Sequence, residues 1–91
     1  MTDLKIDAKL LVEKYSSQPI YKKLYELQQE IEYSDPKSHE SLMEVEEEIN
    51  RKFNELRCLL SEDKVTEAEA LVNELHSLVK ERNYRCKAAK N

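Results

Sequence analysis

The sequence contains no glycine and no tryptophan, and its 91 residues include only two prolines and two cysteines. Average glycine usage is about 7%, so its complete absence is informative. Tight hairpin turns, phosphate-binding loops and dinucleotide-binding turns need backbone at positive φ, which glycine supplies at least cost. A Walker loop, a Rossmann turn and a compact β-barrel are therefore close to excluded. Long apolar runs are missing too. Stretches such as Leu10, Leu11, Val12 are the longest, against about 20 residues for a membrane span. Met1 to Asp7 mixes both signs of charge and reads as neither a secretory nor a transit peptide, so an intracellular, cytoplasmic location is expected, with no membrane partner. Cys58 and Cys86 read as free thiols of a packing type. With His39 and His76 as the only histidines, no metal-ligand spacing is formed, and no metal or cofactor is expected.

What the chain does contain is helical periodicity. Leu4, Ala8, Leu11 and Tyr15 make a first stripe, with Leu10 and Val12 beside it. Ser16 to Pro19 interrupts it, and a second helix is expected to start near Pro19, since proline fits a first helical turn. Its stripe is Ile20, Leu24, Leu27, Ile31. Asp35 as N-cap with Pro36 behind it opens a third helix, carried by Leu42, Val45, Ile49, Phe53, Leu56 and Leu60 and ending near Ser61. Thr66 with Glu69 reads as a capping box, with Val65 and Ala70 as its staple. It opens a fourth helix whose stripe is Ala68, Leu71, Leu75, Leu78. The expectation is one all-α domain, a small antiparallel three- to four-helix bundle built on a C-terminal hairpin. Its helices fall near 4–16, 19–33, 36–61 and 66–84, followed by a basic tail over 85–91. Without glycine, helix ends should be frayed or closed by asparagine and polar loops, with Asn83 a candidate.

The net charge is −4 and is unevenly spread. From Glu26 to Asn50 nine acidic residues face only Lys37, and Glu44, Glu46, Glu47 and Glu48 read as a solvated face. At the other end Lys80, Arg82, Arg85, Lys87 and Lys90 form a basic patch opposed only by Glu81. In an antiparallel hairpin the two stretches lie side by side, giving weak surface pairs. No catalytic grouping stands out. A Cys58–His76 contact is conceivable across the hairpin, but no third group orients it. The di-iron pattern of Glu with His three residues on is absent. Surface residues are the better lead. Tyr21 and Tyr25 share one helix face, Tyr15 lies nearby, and tyrosine suits binding surfaces. One helix face cannot bury Leu10, Leu11 and Val12 together, so at least one of them is exposed or covered by a partner.

The hairpin from Glu40, Ser41, Leu42 through Phe53, Asn54, Glu55, Leu56, then Ser61 to Lys64 and Ala68 to Lys80, resembles the C-terminal helical domain of HscB-type co-chaperones of iron–sulfur cluster assembly. Asp7 to Glu13 resembles that domain's first helix. The resemblance implies docking of an iron–sulfur scaffold protein on Leu10, Leu11, Val12 and Tyr15. The J-domain with its His-Pro-Asp signature has no counterpart here, so the chain is not expected to stimulate an Hsp70 by itself. Ser16 to Pro19 also interrupts the first helix, and His76 and Ser77 stand where the family has a docking aromatic. UVR-type hairpins resemble Ile49 to Lys80 as well. The leading expectation is a non-enzymatic interaction module, an adaptor or co-chaperone-like protein that binds another protein through Leu10, Leu11, Val12, Tyr15, Tyr21 and Tyr25. A self-associating homodimer is the second reading. A small nucleic-acid binder using the basic C-terminus is the third, and the weakest, because Tyr84 is the patch's only aromatic.

Overall fold

The apolar stripes wind into four α-helices: α1 (Thr2–Lys14), α2 (Tyr21–Glu32), α3 (Met43–Ser61) and α4 (Val65–Lys90). A single 3-10 turn, Glu40–Leu42, precedes α3. The computed structural model describes residues 2–34 and 40–90, with side chains from Leu4 to Ser34 and from Glu40 to Ala88. The architecture is the small all-α bundle expected from the periodicity. α1 packs along α2, α3 along α4, and α2 along α4. At about 1.5 Å per residue, the 26 residues of α4 account for the 41 Å long axis of a molecule 19 by 18 Å across. α3 and α4 run antiparallel, with Glu46 meeting Arg82 and Lys52 meeting Glu74. α2 ends beside the C-terminal half of α4, where Glu30 meets Asn83. The order around the bundle is thus α1, α2, α4, α3, and the side between α1 and α3 is the least closely packed.

One core runs through all four helices, from Leu4, Ala8 and Leu11 through Leu24, Leu27 and Ile31 to Ile49, Phe53, Leu56, Leu75 and Val79. Each fully buried aliphatic or Phe side chain contributes about 1.5–3 kcal/mol.

Several helix boundaries differ from the sequence expectation, each for a local reason. α1 ends at Lys14, and the chain turns through Gln18, whose N–H donates to the Tyr15 carbonyl at 3.0 Å. Pro19 disfavours helical backbone at the residue before it. Pro19 also stands before the first turn of α2, not in it. Ile20 is the N-cap, and the first helical bond runs from Leu24 N–H to the Ile20 carbonyl. The Asp35 cap and Pro36 lie outside the described residues. From Glu40 the turn is 3-10, and it swings Leu42 fully into the core.

The α3–α4 connection closes without glycine. Asp63 takes the left-handed conformation at φ 59°. Lys64 N–H donates to the Leu59 carbonyl at 2.9 Å and Asp63 N–H to the Leu60 carbonyl at 3.2 Å. This is a Schellman motif, with aspartate in the position glycine usually holds. Asn83, expected to cap a helix, lies inside α4. The turn also moves the start of α4 forward. Ala68 N–H donates to the Lys64 carbonyl, so the helix begins at Val65 and Thr66 is its second residue, not its cap. Glu62 accepts a hydrogen bond from Lys64 and raises that ammonium above its ordinary value, with Glu67 adding to the effect. At the far end there is no separate basic tail. α4 continues to Lys90 because Cys86, the next position of the stripe, is buried and extends the core.

Candidate functional site

Where α1 and α3 diverge, the surface holds a groove of about 480 Å³. Asp7, Leu10, Leu11, Lys14 and Tyr15 line it from α1 and the turn that follows. Asn54, Arg57, Cys58 and Ser61 line it from α3. The geometry follows from the register of α1. Leu4, Ala8 and Leu11 fall on the core side, and Val12 reaches the core toward α2. Leu10 is rotated out of that stripe and is 59% exposed, as is Ile6 one turn earlier at 58%. The triplet Leu10, Leu11, Val12 is thus divided as helical geometry demands, with its first member in solvent.

The structure brings three of the six expected docking residues to one place: Leu10, Leu11 and Tyr15 share the groove. Val12 is spent on the core. Tyr21 and Tyr25 lie apart on α2, their rings tilted against one another at 5.9 Å between centroids. Lys14 stands 5.7 Å over the Tyr15 ring, within range of a cation–π contact. Ile6, Asp7, Lys14, Asn54, Arg57 and Ser61 were not singled out as binding residues by sequence reasoning, and Cys58 was singled out only as a free thiol and for a conceivable contact with His76. The off-stripe position of Ile6 and Leu10 was a signal for the α1 part. The α3 part had none, because nothing local says that α1 lies against the Asn54–Ser61 face.

The basic patch does not survive as one surface. Arg82 is 0% exposed, and its Nε donates to Oε2 of Glu46 at 2.9 Å. Glu46 is therefore no part of a solvated acidic face either, its side chain being 14% exposed. The reason is register: Leu75, Val79, Arg82 and Cys86 continue one stripe at helical spacing, so residue 82 must point inward. Arg85 is engaged by Glu81 within α4 at 2.8 Å. Lys80 and Lys87 remain exposed, and the side chain of Lys90 lies outside those described. From Arg82 the polar contacts continue. Its Nη1 donates to Oδ1 of Asn83 at 3.4 Å, and Asn83 Nδ2 donates to Oε1 of Glu30 at 3.2 Å and to the Glu30 carbonyl at 3.4 Å. Ser34 Oγ donates to the same carbonyl at 3.1 Å. A carbonyl in the last turn of α2, which the helix itself leaves unpaired, is satisfied in this way. His76 Nε2 lies 3.9 Å from Oε2 of Glu30. This network ties α2, α3 and α4 together.

Cys58 and His76 are not brought together. Cys58 is exposed at the α1/α3 groove, whereas His76 faces α2 through Glu30. Among the described residues no group of three His, Cys, Asp or Glu side chains could hold a metal ion, and no helix is long and apolar enough to cross a membrane. Comparison with protein-family models, with curated proteins and with solved structures gives no match for this chain.

Proposed function

We propose that this chain is a non-enzymatic protein–protein interaction module that docks its partner on the outer face of α1 and in the groove between α1 and α3. The observation that carries this reading is the exposure of Ile6 and Leu10, one turn apart, beside a groove floored by Leu11 and Tyr15. In a helix of 13 residues that already supplies four side chains to the core, a second apolar face adds nothing to the fold. Such faces mark contact surfaces. An adaptor or co-chaperone-like role within the cytoplasm fits a module of this size. The likeness to iron–sulfur co-chaperone helical domains supports the same face, since Leu10, Leu11 and Tyr15 are among the positions it implies.

The test is affinity capture from cells with the wild-type chain and with Leu10→Asp. Leu10 is exposed, so its replacement changes stability by no more than about 0.5 kcal/mol. A central apolar contact, by contrast, is worth tenfold or more in affinity, roughly 1.4 kcal/mol or above. The wild type is expected to retain a saturable partner that the variant loses, with identical circular dichroism. Equal capture by both chains would overturn the assignment of the surface.

A further inference from the structure

We infer that the occupant of the α1/α3 groove is α1 of a second copy of this chain, docked antiparallel about a twofold axis. The inference rests on the reading of the α1 face as a docking surface and names its partner. Asp7 and Lys14 both line the groove and lie two helical turns apart, with Leu10 and Leu11 between them. An isologous interface requires a patch complementary to itself, and this arrangement is one. With the axis passing between Leu10 and Leu11, Asp7 of each copy faces Lys14 of the other, while Leu10 and Leu11 flank the axis and each meets its own counterpart. Two ion pairs form for each apolar centre, and the opposed α1 macrodipoles add to the attraction. Neither Asp7 nor Lys14 has a salt-bridge partner among the described residues, and the Lys14 ammonium over the Tyr15 ring keeps its charge at the groove for the contact. Antisymmetry of charge about an apolar midpoint is what a like-to-like contact needs, whereas a foreign partner has no need of it.

Sedimentation velocity from low to high micromolar concentration tests the pairing, with Asp7→Lys and Lys14→Asp as variants. The wild type is expected to dimerise. Each single reversal turns both ion pairs into repulsions and should raise the dimer Kd about tenfold. An equimolar mixture of the two variants should recover a heterodimer of near wild-type affinity, because every cross-contact is again acid against base. Circular dichroism of each variant establishes that it is folded. A wild type that stays monomeric throughout, or a mixture no tighter than its components, overturns the pairing. A monomeric wild type whose cellular partner is still lost on Leu10→Asp overturns the pairing alone and leaves the α1 docking surface standing. A dimer that Leu10→Asp leaves intact overturns both.

Discussion

Replacing Glu46 with alanine is expected to destabilise the bundle by about 1.5–3 kcal/mol, a sizeable part of the roughly 5–15 kcal/mol that holds a domain together. Arg82 is fully buried, and the Glu46 carboxylate at 2.9 Å compensates its charge. Without it the buried guanidinium loses its carboxylate contact at 2.9 Å and keeps the Asn83 oxygen at 3.4 Å among its acceptors. The cost is that of breaking a buried charge-assisted hydrogen bond, not that of a lost surface pair. The double replacement Glu46→Leu with Arg82→Met distinguishes the two. It removes both charges and keeps the volume, so it should cost less than Glu46→Ala alone. Urea unfolding of the three chains decides the matter. A Glu46→Ala loss below about 1 kcal/mol, the range of exposed pairs, would show that this contact adds no more than a surface pair does.

Phe53→Ala is the second large effect, expected at about 3–5 kcal/mol. Phe53 is the only phenylalanine in the chain and lies buried in mid-α3, between Ile49 and Leu56 on the stripe that faces the other helices. Its removal takes away the transfer energy of the ring and leaves a void that four packed helices can only partly close. For a domain of this size each kcal/mol shifts Tm by about 4–8 °C, so thermal melts should show a drop of well over ten degrees. The contrast with Leu10 is instructive. Both side chains are large and apolar, yet one is enclosed on every side and the other is in solvent, so stability and association can be altered separately.

Much of the fold was legible because helical spacing is local. The stripes Leu4–Ala8–Leu11, Leu24–Leu27–Ile31 and Ile49–Phe53–Leu56 all turned inward as read. What was misread involved residues whose chemistry argues against their register. Arg82 occupies a core position of α4, but its charge led to its assignment to a surface patch. Its place one stripe position after Val79, on the side that Leu75 opens, was the available clue. Glu46 could be identified as its counter-ion only once the register of α3 against α4 was fixed. α3 ends at Ser61, where the stripe placed its end, but how it closes was hidden for another reason. A left-handed aspartate, Asp63, does the work that glycine signals in most sequences, so the absence of glycine suggested looser ends than the Schellman turn provides. Half of the candidate site, the Asn54 to Ser61 side, depends wholly on which helices become neighbours, and no period in the sequence records that.

Cys58 offers the most direct view of the groove. Its thiol is exposed at the groove wall, while Cys86 is buried in the core and serves as an internal reference. The measurement is the rate of Cys58 alkylation as the concentration of the chain rises through the micromolar range. If the α1/α3 face is the surface on which two copies meet, the rate falls several-fold across that range, while Cys86 stays unreactive and Leu10→Asp abolishes the protection. A Cys58 rate that is the same at every concentration would contradict it.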